Sequence, residues 1–380
     1  MAAALEFGRS ARSTVGIEWE LALVDKDSGD LRQVAQTILD AVTPEGGGQH
    51  PHIRQELLLN TVEIVTGVCN TIAEAGKDLT LSIEQLRELT DPLRVEFMCA
   101  GTHPFARWTN QKVTDKQRYA TLIDRTQWWG RQMLIYGIHV HVGIEERRKV
   151  LPIMRAMMTY FGHFQSLSAS SPFWGGKDTS YASNRALMFQ QLPTAGLPFQ
   201  FDEWSQLEAY VDDMLKVGVI DQFDEVRWDL RPSLRYGTIE TRIADGSSNI
   251  TEVLALAALT QCLVEYFSTM LDEGKELPTM QSWFIQENKW RSARYGMDAI
   301  LILNNAGDEA LITDDLPRLL TMLEPTAERL GCLEELRHID TIMRKGASYQ
   351  RQRAVARRHG GDLGAVVDHL VREMRAGKPL

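Results

Sequence analysis

The sequence predicts an α+β fold built on a curved, mainly antiparallel sheet, with helices on one face and the active site on the concave other. Three observations lead there. Short segments with period-2 alternation occur through the first two thirds of the chain, each with an apolar face. Segments of helical periodicity separate them. From about residue 271 onward the pattern is almost wholly helical. Residues 1–270 therefore read as a sheet-based catalytic core and 271–380 as a helical region packed on it, together one structural unit.

Helical periodicity is clearest over residues 71–89, 120–133, 152–168, 204–217, 250–271, 316–330 and 363–374. The apolar run Val253–Val264 is broken by Thr260 and Gln261 and reads as a buried helix, too short to span a bilayer.

The strand-like segments carry polar residues of a particular kind. In residues 14–24, Val15, Ile17, Trp19, Leu21 and Leu23 share one face and Gly16, Glu18, Glu20 and Ala22 the other. In 135–143, Ile138, Val140 and Val142 alternate with Gly137, His139, His141 and Gly143. In 238–245, Ile239 and Ile243 alternate with Glu240 and Arg242, and in 227–232, Trp228 and Leu230 alternate with Arg227, Asp229 and Arg231. Each charged face alone has a plain reading as the solvated side of an antiparallel sheet. Two imidazoles at i and i+2 are more telling, because a solvent face has no need of them. Four segments of one design favour a lined, concave sheet. Glu63 shares a strand face with Thr61 and Val65, whereas Glu56 has the wrong parity for one flat strand and joins the set only through a bend near Leu59 or Asn60. Without that bend, Glu56 is a surface carboxylate at a strand end.

Composition sets the outer bounds. The 380 residues hold 41 Lys+Arg against 51 Asp+Glu, a formal net charge of −10, with 44% hydrophobic and 24% charged residues. That is a soluble globular balance, and its acidic sign argues against a nucleic-acid or anionic-membrane partner. Cys69, Cys99, Cys262 and Cys332 form no CxxC pair and suggest neither a disulfide framework nor a thiolate zinc site. Residues 1–13 lack the apolar core of a secretory signal, and a reduced, cytoplasmic location is the default. Nothing in the sequence speaks to oligomeric state beyond the general prevalence of homodimers.

Five carboxylates with histidines and no thiolate make a hard, oxygen-rich set suited to Mg²⁺ or Mn²⁺. Such carboxylates repel one another unless cations sit among them. Metals together with Arg231, Arg235 and Arg242 describe a phosphoryl-transfer centre. Walker A, GxGxxG, HRD/DFG, GxSxG and HExxH motifs are all missing; Gly176-Lys177 fails as a P-loop because Ser171 and Asp178 stand at required positions. ATP, if used, is held by metals and arginines on a sheet.

These segments resemble, in order, the glutamine synthetase and glutamate–cysteine ligase superfamily. Gly16-Ile-Glu18-Trp-Glu20 is similar to its Gly-x-Glu-x-Glu strand, Glu56 and Glu63 to its second acidic pair, and His139-Val-His141 to its His-x-His strand. Arg231-Pro-Ser-Leu-Arg235 and Glu240-Thr-Arg242 resemble its arginine elements. Residues 100–105, 168–172, 178–185 and 287–291 resemble the bacterial carboxylate–amine ligases described as type 2 glutamate–cysteine ligases. The resemblance implies a glutamine synthetase-like catalytic fold and an ATP-dependent ligase that joins glutamate to an amine such as cysteine. It implies that Glu20, Glu56 and Glu63 hold a metal near the amino acid, and that Glu18, His139 and Glu240 hold one bridging ATP phosphates. His141, Arg231 and Arg235 would touch phosphates, and Arg242 would stabilise the transferring phosphoryl group or the glutamate. Other readings stay open: a different carboxylate or amine, or a metal-dependent hydrolase that uses no nucleotide. With about two Mg²⁺ returning roughly +4, part of the acidic excess becomes a metal site rather than a surface property.

Other residues point less sharply. His103 reads as a loop-ordering or substrate-contacting histidine. Trp128, Trp129 and Trp290 read as core aromatics before adenine platforms. Lys289, Arg291 and Arg294 read as phosphate contacts or surface charges, and Cys69 and Cys99 as core.

Overall fold

A computed structural model describes residues 5–44 and 46–380. Its centre is an open, wholly antiparallel seven-stranded sheet made of β1 (Val15–Asp25), β2 (Ile53–Gln55), β3 (Thr61–Val65), β4 (Val95–Met98), β5 (Ile138–Gly143), β8 (Leu230–Ser233) and β9 (Thr238–Thr241). Strands β6 (Phe173–Trp174) and β7 (Lys177–Asp178) form a separate small ribbon. The strand order is β2-β3-β1-β5-β9-β8. Long β1 pairs β3 through Glu18–Ala22, β5 through Val15–Trp19, and β4 through Ala22–Asp25.

The alternating apolar residues of β1, from Val15 to Leu23, are buried as the period-2 pattern requires. Among the described residues thirteen α-helices accompany the strands: α1 (Ala35–Val42), α2 (Ile72–Thr90), α3 (Gln117–Arg131), α4 (Val150–Met158), α5 (Phe161–Ser168), α6 (Arg185–Phe189), α7 (Trp204–Lys216), α8 (Ile250–Asp272), α9 (Ser282–Tyr295), α10 (Ile312–Leu330), α11 (Leu333–Lys345), α12 (Ser348–Arg358) and α13 (Gly364–Ala376). Helices α2 and α8 lie against the apolar sheet face, while α10 and α11 pack on α8. Caps begin the first two where the sequence supplies them. Thr71 accepts from Glu74 N at 3.2 Å, and Asn249 accepts from Glu252 N at 3.0 Å.

Several expectations need correction. Helix α8 runs 23 residues and is long and apolar enough to cross a membrane, yet 78% of its most apolar window is buried in the protein, as in a core helix. The single helix expected over 152–168 is two, because Tyr160 leaves helical geometry and Thr159 and Tyr160 donate to carbonyls only three residues back. The helical region also contains a ribbon, β10 (Ile300–Ile302) with β11 (Glu309–Leu311), turned through Asn304–Gly307. The three tryptophans are not core. Trp128 is 55% exposed, Trp129 39% and Trp290 39%, and Trp128 packs edge-on against Trp108 and Trp129.

Candidate active site

The face of the sheet opposite α2 and α8 carries the polar residues, and strand register orders them in rows. In the first row, Arg54 on β2 stands opposite Glu63 on β3, which stands opposite Glu20 on β1. The second sets Glu18 on β1 opposite His139 on β5. The third runs from Gly16 through His141 to Glu240 on β9 and Arg231 on β8. Glu56 joins from the segment between β2 and β3, which turns through a Thr61 N to Leu58 O hydrogen bond. All of these except Gly16, His141, and Glu240 line one cavity of about 860 Å³, walled on its outer side by α3 and residues 221–227.

Three groups of donors have ligand atoms within 4.8 Å of one another: Glu20, Glu56 and Glu63; Glu18, Glu63 and His139; and Glu18, His141 and Glu240. The first matches the grouping implied by the sequence resemblance. The implied trio of Glu18, His139 and Glu240 is drawn differently, and register gives the reason. His141, not His139, is the cross-strand partner of Glu240, while His139 lies beside Arg242, whose Nη1 is 3.5 Å from its Nδ1. Glu18 bridges the two histidines, 2.8 Å from His139 Nδ1 and 3.3 Å from His141 Nε2. The second contact is off the line of a hydrogen bond, which leaves His141 Nε2 buried and unpartnered, while His141 Nδ1 is fixed by Thr238 Oγ1 at 2.9 Å.

Electrostatics divide the site. Burial raises the Glu20 carboxyl to about 8, reinforced by the Glu56 charge. Burial also raises Glu56 and lifts Glu63 well above the carboxylate range, with Glu18, Glu56 and Glu20 adding repulsion at Glu63. At Glu18 burial pulls the same way, but His139 and His141 overcome it and hold the carboxyl well below its usual range. Burial, then the Arg242 charge, drops His139 to about 4. Burial opposes protonation of His141, yet the Glu240 and Glu18 carboxylates raise it. Glu240, buried between two guanidinium groups, is strongly depressed despite its burial.

The arginines differ in how free they are. Arg231 Nε donates to Glu240 Oε2 at 2.7 Å and its Nη1 to the Asp224 and Val226 carbonyls; Arg242 pairs with the other Glu240 oxygen. Exposed Arg235, in the turn between β8 and β9, lines the cavity with its guanidinium 5.4 Å from the Tyr236 ring. Cavity-lining Arg54, Lys116, Arg118 and Arg185 are additions that sequence reasoning did not place in the site, and Arg227, set by alternation on a polar strand face but given no role, lines the cavity with them. Arg54 sits on a short alternating segment, Ile53–Gln55, and that alternation could have flagged it. Lys289 is not at the cavity; it is 1% exposed and donates to Asp229 at 2.5 Å. Arg291 pairs with Glu287 and Glu309, and Arg294 donates to the Ser180 carbonyl. His103 is a buried loop fastener, with Nε2 2.9 Å from the Gly29 carbonyl and Nδ1 accepting from Ala106 N.

A sequence model described as glutamate-cysteine ligase family 2 (GCS2) matches residues 14–369. A relative from Arthrobacter sp. FB24, carried under the provisional name glutamate–cysteine ligase 2-1, is 59% identical over 378 residues, 98% of this chain and 99% of its own. One from Mycobacterium tuberculosis H37Rv, provisionally named glutamate–cysteine ligase 2, is 55% identical over 373 residues, 98% of each. The solved glutamate–cysteine ligase of Francisella tularensis in complex with AMP superposes with a TM-score of 0.66 at 15% identity, covering 98% of this chain and 90% of that one, a likeness of fold. With a whole-chain family match and relatives above half identity, the chain belongs to glutamate–cysteine ligase family 2 and is an enzyme of the ligase type.

Proposed function

We propose that the enzyme is an ATP-dependent carboxylate–amine ligase that activates the side-chain carboxylate of glutamate as an acyl phosphate and transfers the acyl group to an amine, cysteine first among the candidates. The observation that carries this reading is the set of three overlapping donor groups on one sheet face, beside arginines and inside a cavity of nucleotide-plus-amino-acid size. The names of the relatives and the AMP held by the Francisella enzyme point the same way.

The donor set fits divalent metal. Glu20 and Glu63 face each other directly across a strand pair, an arrangement of like charges that is unfavourable until a cation sits between them. Glu20, Glu56 and Glu63 would hold one Mg²⁺ or Mn²⁺, while Glu18, His139, His141 and Glu240 would serve the phosphate end. Bound there, the metal neutralises phosphate and carboxylate charge and polarises the transferred phosphoryl group.

A free carboxylate is a poor acyl donor, so the chemistry proceeds in two displacements. A donor carboxylate oxygen attacks the γ-phosphorus, the bond to the β-phosphate oxygen breaks, and ADP leaves. The amine nitrogen then attacks the acyl carbon, the bond to phosphate breaks, and the nitrogen gives up a proton as the amide forms. No protein nucleophile is needed. Arg235, free of any carboxylate partner among the described residues, contacts phosphate oxygens, and Arg231 and Arg242 present a double positive charge around Glu240 where the phosphoryl group is passed.

The test is incubation of the purified protein with Mg·ATP, glutamate and a panel of amines that includes cysteine, reading ADP release and coupled product by mass spectrometry. ADP release that requires both carboxylate and amine is the expected result. No stimulation by any pair overturns the reading, and turnover with metal but without nucleotide would mark a hydrolase instead.

A further inference from the structure

Among the arginines of the cavity, Arg185 stands apart. It opens the short helix α6, is 3% exposed, and lines the cavity from the Glu20 side of the site. Arg231 and Arg242 share Glu240, but Arg185 has no carboxylate oxygen within 4.0 Å among the described residues. Its guanidinium Nη1 donates to the Arg242 carbonyl at 3.3 Å, and its Nε is buried with no hydrogen-bond partner. The nearby Asp245 carboxylate is already occupied by Ser170 N, Ser171 Oγ and Ser183 Oγ at 3.0, 2.6 and 2.8 Å.

The surroundings are built to admit this charge rather than to neutralise it. Position 137 is glycine, and a Cβ there would overlap the Arg185 guanidinium. The Gly137 N–H meanwhile donates to Glu20 Oε2 at 2.5 Å, so one residue separates the cation from the first donor group. The Phe189 ring lies 5.7 Å from the Arg185 guanidinium carbon and 6.0 Å from that of Arg242, an apolar wall that fixes the fork without satisfying it. A desolvated, unpaired guanidinium is costly to a fold, and its planar pair of donors matches a carboxylate.

We infer that Arg185 anchors a substrate carboxylate that does not react, the α-carboxylate of an amino-acid substrate, and so makes the enzyme select amino acids over simple carboxylates or amines. The inference rests on the ligase reading above. The α-carboxylate can come from the donor or the acceptor, and two substrate pairs separate them: glutamate against 4-aminobutanoate, and cysteine against cysteamine.

The experiment measures kcat/KM for each pair in the wild type, Arg185→Met and Arg185→Lys. The wild type should prefer the carboxylate-bearing member, and Arg185→Met should lose that preference in one pair, by on the order of 100-fold. Loss in the glutamate pair assigns the donor, and loss in the cysteine pair the acceptor; Arg185→Lys should fall between. Arg185→Met gives up a bond to the Arg242 carbonyl and a charge near buried Asp245 but breaks no ion pair, so it should still fold and melt cooperatively. If it fails to fold, Arg185→Lys carries the selectivity test. Preferences intact in both pairs, or equal losses for both members of each, overturn the inference. Should the wild type release no ADP with any pair, the ligase reading has failed. Calorimetric binding of the same four compounds to wild type and variants then decides on Arg185 separately, with equal affinity across both pairs counting against it.

Discussion

Glu20 gives the sharpest test of whether this site is strained without its cations. It faces Glu63 across β1 and β3, with Glu56 closing the group, and its carboxyl is held at about 8 by burial and then by Glu56. The sign follows from linkage. Below the ordinary value of 4.5 both folded and unfolded chains carry the proton, and Glu20 costs nothing. Between 4.5 and about 8 the unfolded chain gives up the proton while the folded one keeps it, so stability falls as pH rises, and above about 8 the cost is constant. At about 1.4 kcal/mol per pH unit, the cost reaches roughly 3 kcal/mol at pH 7 and roughly 5 kcal/mol at pH 8. Glu20→Gln keeps the shape and removes the titration. An unfolding entropy of about 2.1 cal/mol/K per residue makes that roughly 4 °C in Tm at pH 7.

Scanning calorimetry in EDTA from pH 5 to pH 8 reads the effect. Glu20→Gln should melt with the wild type near pH 5 and progressively above it as pH rises. Mg²⁺ should raise the wild-type Tm and erase the gap, because the cation restores what the charge cost. A variant that melts below the wild type at pH 8, or a gap that does not grow with pH, refutes the reasoning: Glu20 would then be an ordinary satisfied carboxylate.

Further outcomes follow from the same geometry. Glu18→Gln and His139→Ala each remove a donor from the overlapping groups and should lower kcat by roughly 100-fold or more, with far-UV circular dichroism unchanged; near-wild-type turnover would remove these residues from the chemistry. Lys289→Met leaves the buried Asp229 carboxylate without its ion-pair partner, and should cost about 3–5 kcal/mol by denaturant titration. Adding Asp229→Leu should recover most of that loss, and a double variant no better than the single would show that the pair is not the anchor. All four cysteines are buried, so a thiol reagent should label none in the native protein and four in guanidinium chloride; Cys262 and Cys332, with sulfurs 3.5 Å apart, should label together on unfolding.

What could be read from the sequence was local. Alternation fixes which side of a strand a residue faces, so Glu18, Glu20, His139 and His141 could be put on one face from eleven and six residues of strand alone. Alternation does not fix register, which depends on where β5 meets β9. That is why the histidine next to Glu240 is His141, although His139 and His141 are indistinguishable by parity. Glu56 fell between the two cases: its parity was legible, and its reach into the site needed the turn at Leu58–Thr61. Arg185 and Lys289 lay beyond either kind of reading. One sits on a five-residue helix that carries no periodicity, and the other is buried only because Asp229, sixty residues away, pairs with it.

The same division accounts for the acidic composition. Charges whose partners are local or cross-strand, such as Arg231 and Arg242 on Glu240, are neutralised within the protein. Those of the first donor group are not, since Arg54 is the cross-strand partner of Glu63 yet forms no ion pair with it among the described residues, and Glu20 and Glu56 have no ion pair either. Arg185 is the mirror image, a cation that forms no ion pair among the described residues and whose Nε has no partner. A fold selected for stability alone would have joined these opposite charges across the one residue, Gly137, that separates them. On the proposed reading, keeping them apart leaves carboxyl groups for metal and a guanidinium for a carboxylate, so each half of the substrate complex would meet protein groups that lack an ion-pair partner.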